Sequence, residues 1–180
     1  MAASILIAYA TRYGSTQEVA EAVGARLREQ GLTVEVRRAG EVRSVGGFDA
    51  VVLGTPLYIG SLLREARKFL NRCRTALSQM PVAVFALGPV HGGKELEDAR
   101  TQLTAALAKL PWLRPVATEV FVGKYDPAHL RFPDSLLAVL PASPLHGLPA
   151  HDGRDWAAIH AWADTLPAVL LPKSPPVKAP

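Results

Sequence analysis

The sequence predicts an α/β domain: a five-stranded parallel sheet, doubly wound, with helices on both faces. Three observations carry that prediction. Strand-like and helix-like segments alternate along the chain. Three strand segments are continuous apolar runs, as in strands covered on both faces. Each of these runs ends in a short loop of glycine, proline and hydroxyl residues, after which a helical pattern begins.

In chain order, Ser4-Ile-Leu-Ile-Ala-Tyr-Ala10 is the first buried strand, and residues 15–30 form a helix that stops at Gly31. Residues 32–38 alternate with period two, as a half-buried or edge strand does. Asp49-Ala-Val-Val-Leu-Gly-Thr55 is the second continuous run. Ser61 or Leu62 opens the next helix, with Leu62, Ala66, Phe69 and Cys73 on one face and Leu63 and Leu70 beside them. Pro81-Val-Ala-Val-Phe-Ala-Leu87 is the third run, and Lys94 to Lys109 a helix with Leu96, Ala99, Leu103, Ala106 and Leu110 inward. Residues 115–123 form the last strand, and Asp155 to Leu166 the last helix, packing Trp156, Ile159 and Ala163. Between them, residues 124–150 are irregular and rich in Pro and His apart from an apolar piece at 135–140. So long a loop marks a functional or disordered segment. The domain spans residues 1–171, and 172–180, with four prolines, is a mobile tail.

Composition narrows the function. The 180 residues are 49% apolar and 20% charged, which excludes a disordered chain and allows one well-filled core. Cys73 is the only cysteine, so an internal disulfide and a cysteine-rich metal site are excluded. The histidines at 91, 129, 146, 151 and 160 lack the paired spacing of a helical metal site, and no metal is expected. No apolar run approaches the roughly 18 residues of a membrane span, and the N-terminus lacks a basic leader. A cytoplasmic protein is expected, with a peripheral membrane contact left open. The net charge of +4 is spread along the chain without interleaved aromatics, so no nucleic-acid partner is expected.

In an open parallel sheet, ligands bind beyond the carboxyl ends of the strands. The first loop there, Thr11-Arg-Tyr-Gly-Ser-Thr16, suits a phosphate. Its hydroxyls and backbone N–H groups can converge, Gly14 permits close approach, and the following helix presents the positive end of its dipole. The alternative is an ordinary helix start capped by Ser15 or Thr16. No lysine stands where Walker-type hydrolysis needs one, no G-x-G-x-x-G follows the strand, and no G-x-S-x-G elbow is present. The other two loops read Thr55-Pro-Leu-Tyr-Ile-Gly-Ser61 and Gly88-Pro-Val-His-Gly-Gly93.

Taken together, T-x-x-G-x-T at Thr11, Gly14 and Thr16, "GTPLYIGSL" at 54–62 and "FALGPVHGG" at 85–93 resemble the three flavin loops of the flavodoxin family. The resemblance covers residues 4–123 and the last helix. It implies a strand order of 2-1-3-4-5, bound FMN and electron transfer. "ATRYGST", "GTPLYIGSLLREARKFL", "MPVAVFALG" and the "DW" helix are similar to the subgroup with the flavodoxin-type, menaquinone-dependent protoporphyrinogen oxidases. On this resemblance the cofactor-binding residues are Thr11, Arg12, Tyr13, Gly14, Ser15 and Thr16 in the first loop. The second contributes Thr55, Pro56, Leu57, Tyr58, Ile59 and Gly60; the third, Leu87, Gly88, Pro89, Val90, His91, Gly92 and Gly93. Tyr58 is the aromatic suited to lie against the isoalloxazine ring, and Tyr125 a further residue at its border. His91 is a candidate proton donor.

One-electron transfer requires no obligatory acid or base, so no catalytic residue is assigned. The expected partners are a redox protein or a quinone. Arg64, Lys68 and Arg72, flanked by Arg67 and Arg74, form a stripe that either docks an acidic partner or anionic membrane, or is a solvated face. Three functions follow: an electron carrier or small flavin oxidoreductase; a menaquinone-dependent protoporphyrinogen oxidase; and a non-redox binder of another phosphorylated ligand or a protein. Residues 124–150 hold only Lys124 and Arg131 as bases, and "GLPAHDGRD" stands where the oxidases carry "GGxTDT". Both differences place the first function above the second.

Overall fold

The structure is a computed structural model that describes residues 2–131, 134–143 and 146–172. Its elements are β1 (Ser4–Tyr9), α1 (Ser15–Glu29), β2 (Thr33–Arg38), β3 (Ala50–Tyr58), β4 (Ser61–Leu62), α2 (Arg64–Arg72) and α3 (Arg74–Leu77). Then come β5 (Val82–Leu87), α4 (Lys94–Ala108), β6 (Ala117–Phe121), β7 (Lys124–Tyr125), a 3-10 turn (Pro127–His129), α5 (Asp134–Val139), β8 (His151–Asp152) and α6 (Trp156–Leu170). The main sheet orders its parallel strands β2-β1-β3-β5-β6, and the two-residue β4 pairs antiparallel with β3. Counting the parallel strands alone, this is the expected order 2-1-3-4-5.

Side chains alternate across the pleat, so the apolar strands feed two cores. Ile5, Ile7, Val52 and Phe85 meet Val19 and Val23 of α1 and Ile159 and Leu166 of α6 on one face. Leu6, Leu53 and Val84 meet Phe69 and Leu70 of α2 and Leu103 of α4 on the other. Trp162 closes the first core edge-on, its ring 5.8 Å from those of both Phe85 and Phe121.

Three features differ from the sequence expectation. Strand β3 continues beyond Thr55 to Tyr58, and its return stroke uses Ser61 and Leu62 as β4, so the second helix begins only at Arg64. Leu62 is buried all the same, as a strand residue opposite Leu57. Trp156 is not a core residue. It is 38% exposed, because the inward face of α6 is set by Ile159, Ala163, Leu166 and Leu170. The segment 124–150 is not wholly irregular. It holds β7, which pairs antiparallel with β8, and the apolar piece forms α5. The expected tail, from Lys173 on, lies outside the described residues. Among the described residues no helix is long and apolar enough to cross a membrane.

Gly54 sits opposite Phe85 in the β3–β5 ladder, and a Cβ placed there would stand 2.3 Å from the ring. Phe85 is fully buried and has nowhere to move. Gly54→Ala is therefore expected to destabilise the fold by about 1–3 kcal/mol, read as a lower urea midpoint at unchanged slope.

Candidate functional site

The ladders bring the three candidate loops side by side. Tyr9 is level with Gly54 and Pro56 with Leu87, so the loops after β1, β3 and β5 emerge at one edge of the sheet.

In the first loop the Gly14 N–H donates to Thr11 Oγ1 at 2.9 Å, which folds the chain back into α1. Gly14 is the N-cap, at φ 90°, and no side chain caps the helix; neither Ser15 nor Thr16 does so. The first intrahelical bond there runs from the Glu18 N–H to the Gly14 carbonyl at 3.1 Å. The preceding N–H groups of the first turn have no partner within the helix. Thr16 is 1% exposed, and its Oγ1 has no hydrogen-bond partner. A buried hydroxyl without a partner is costly. Here it lies at the positive end of a helix, where an anion would complete it.

The second loop is braced from within. Buried Thr55 donates through Oγ1 to the Pro56 carbonyl at 3.0 Å and accepts from the Leu63 N–H at 3.3 Å, linking β3 to the start of α2. Ile59 (φ 47°) and Gly60 (φ 67°) are the two central residues of the turn between paired Tyr58 and Ser61. A turn with both centres at positive φ favours Asn-Gly, and a fully exposed, β-branched Ile59 stands in the Asn position. Tyr58 is 42% exposed, yet its hydroxyl is pushed up to about 12, chiefly by burial. Arg12 lowers it, and Tyr13 and Asp134 raise it, so Tyr58 shares the field of the first loop.

The third loop starts by continuing the sheet, with the Gly88 N–H donating to the Phe121 carbonyl at 2.9 Å. A Cβ at Gly88 would press on Val120 at 3.0 Å and on Ala99 at 3.2 Å, so α4 and β6 both crowd this backbone. Leu87 is buried and Gly93, at φ 64°, leads into α4. The His91 ring stacks on His151 with centroids 5.7 Å apart, and Nδ1 lies 3.7 Å from a Glu95 carboxylate oxygen. Behind Val90, His91 and Gly92 a cavity of about 420 Å³ reaches Phe121, Val122 and Gly153.

Two residues that the sequence reading did not single out act on the first loop. Asp134, the first residue of α5, pairs with Arg12 Nε at 3.0 Å and accepts the Tyr13 hydroxyl, laying α5 against the loop. Arg12 is thus already matched by a carboxylate. The Tyr13 phenol is raised by burial first and by Asp134 second. Arg154, nine-tenths buried, binds Asp152 through Nε (2.8 Å) and Nη2 (2.6 Å) and Glu18 of α1 through Nη1 (2.8 Å). Nothing local in the sequence names Arg12 and Tyr13 as the partners of Asp134; for Arg154 the carboxylate two residues earlier, Asp152, is a local signal, while Glu18 is not. Tyr125 is buried in the β7–β8 ladder. On the basic stripe Arg64, Arg67, Lys68 and Arg74 are exposed, while Arg72 donates to the Ala39 carbonyl at 2.8 Å. Among the described residues no three His, Cys, Asp or Glu side chains could hold a metal.

A doubly wound parallel sheet with three loops emerging at the carboxyl ends of adjacent strands defines an open α/β protein. The chain belongs to the flavodoxin domain family, whose profile matches residues 6–137. It is 27% identical over 132 residues to Escherichia coli K12 protoporphyrinogen IX dehydrogenase (quinone), covering 71% of this chain and 70% of that protein. Paracoccus denitrificans NAD(P)H dehydrogenase (quinone) is 29% identical over 119 residues, 51% of this chain and 57% of that one. Among solved structures, the Streptococcus pneumoniae TIGR4 flavodoxin superposes with a TM-score of 0.55 at 18% identity, over 92% of this chain and 99% of its own. A cysteine-to-serine mutant of the Pseudomonas aeruginosa flavodoxin gives 0.54 at 17% identity, over 93% and 98%. These two share the fold. Membership implies a flavin cofactor, typically FMN, and electron transfer.

Two outcomes test the local geometry. Ile59→Asn is expected to raise stability by about 1 kcal/mol by relieving the left-handed strain, measured by denaturant titration. Asp134→Ala is expected to lower the Tyr13 phenol toward its ordinary value near 10, because its hydrogen-bonded carboxylate is gone. The readout is the difference in tyrosinate absorbance between that variant and one that also carries Tyr13→Phe.

Proposed function

We propose that the protein binds FMN across the three loops and serves as an electron-transfer flavoprotein whose partner is a redox protein or a quinone. The observation that carries this is Thr16 Oγ1, buried and without a partner beside the uncapped start of α1. A terminal phosphate supplies the missing acceptor. The hydroxyls of Thr11, Ser15 and Thr16 and the first-turn N–H groups would hold it, with the helix dipole meeting its charge. Arg12 is neutralised by Asp134, so the phosphate is met mainly by neutral donors.

Tyr58 and the backbone of Gly88, Gly92 and Gly93 would flank the ring system, and the α5 segment would shield the phosphate end from water. The bound flavin supplies the redox chemistry, and the protein sets its position and surroundings. A quinone as acceptor is supported by both relatives, since the E. coli and the Paracoccus proteins are quinone dehydrogenases. A second reading, oxidation of a protoporphyrinogen, is supported by the E. coli relative.

Protein reconstituted with FMN and freed of excess by gel filtration is expected to keep flavin absorbance near one equivalent. Thr16→Ala should weaken FMN about 10- to 100-fold, the worth of one hydrogen bond to a charged group, and leave riboflavin unchanged. A colourless protein that refuses added FMN would contradict the proposal.

A further inference from the structure

Arg154 is a buried cation in an unfavourable place. Its guanidinium reaches the first turn of α1, with Nη1 at 3.4 Å from the Ser15 carbonyl and 2.8 Å from Glu18 Oε2. That is the positive end of the helix, where the dipole opposes a cation. Burial adds to the cost, since a guanidinium with 3% of its side chain exposed has lost most of its hydration. Asp152, Glu18 and the face of Trp156, 4.7 Å from the guanidinium carbon, offset these costs. An apolar side chain of similar volume would avoid them altogether.

The connections of the residue indicate what it does. Through Asp152 it is fixed to the β7–β8 ladder, and through Trp156 to the first turn of α6. Through Ser15 and Glu18 it grips the one turn of α1 that has no side-chain cap and that contains the unpartnered Thr16 Oγ1. Nε, Nη1 and Nη2 all have partners within the protein, so the guanidinium acts through this turn and not by direct contact with a ligand.

We propose that Arg154 is the positioning residue of the phosphate site. It holds the uncapped first turn of α1 in the orientation that receives a phosphomonoester, and so makes the protein select a 5′-phosphorylated flavin over the unphosphorylated one. This rests on the proposed flavin function. The residue lies 139 positions from Ser15 and outside the three loops.

The test compares the dissociation constants of FMN and riboflavin, by quenching of flavin fluorescence, for the wild type, Arg154→Gln and Arg154→Lys. The expected result is an FMN affinity at least about tenfold lower in Arg154→Gln, with riboflavin within about twofold. Arg154→Lys keeps the charge but not the fork that spans Asp152 and Glu18, and is expected to fall between. Equal loss for both flavins, or no loss for either, would overturn the proposal and identify Arg154 as a structural clasp. Should Arg154→Gln not fold, the Lys variant decides alone: a selective loss for FMN supports the assignment and a uniform one overturns it. A wild type that binds neither flavin would instead remove the flavin reading itself, and the assignment with it.

Discussion

Burial of the central strands on both faces is the constraint from which the rest of the molecule follows. β1, β3 and β5 have helices above and below, so their backbone must pair strand to strand and their polar turns must lie outside the sheet. The register then leaves three carboxyl ends level at one edge. Space between the layers is tight enough that Gly54 is required by a ring on the next strand, and Gly88 by α4 and β6. The loops are thus mounted on a frame with little freedom to shift, as the proposed binding of a planar flavin in one orientation requires.

At the first loop, charge is matched almost residue by residue. Arg12 is held by Asp134, and Arg154 by Asp152 and Glu18. What stays unmatched is neutral: the first-turn N–H groups of α1 and the hydroxyl of Thr16. An anion recognised by such donors is selected by their direction as much as by charge, because a dipole weakens quickly when its ligand is displaced. The two ion-pair clusters take on a geometric task here. One brings α5 over the loop from above, and the other anchors the helix start from the side of α6.

The second loop combines strength and strain. Thr55 satisfies its hydroxyl internally and links β3 to α2, while four residues further on Ile59 adopts a left-handed conformation with its side chain wholly in solvent. Backbone strain of this kind persists only where the surroundings enforce it, and it gathers at functional sites. Its position beside Tyr58, whose hydroxyl resists ionisation up to about 12, places the strained turn at the rim of the candidate site.

The sequence by itself determined the class of fold, the five strands along the chain, the two-sided core and the position of three loops at the carboxyl ends of the buried strands, while the strand order came with the family resemblance. These are recorded in short-range patterns: apolar runs of six or seven residues, helical spacing of three and four, and glycine at a helix start. It misjudged features set by competition between neighbouring elements. Ser61 and Leu62 were claimed by a hairpin before a helix could use them, and Trp156 was turned outward by the face that Ile159 and Ala163 chose for α6. Tertiary structure alone decided which charges meet. Asp134 reaches Arg12 across 122 positions and Arg154 reaches Glu18 across 136. An ion pair leaves no periodicity in the chain, since only the packed path of the backbone brings its two ends together.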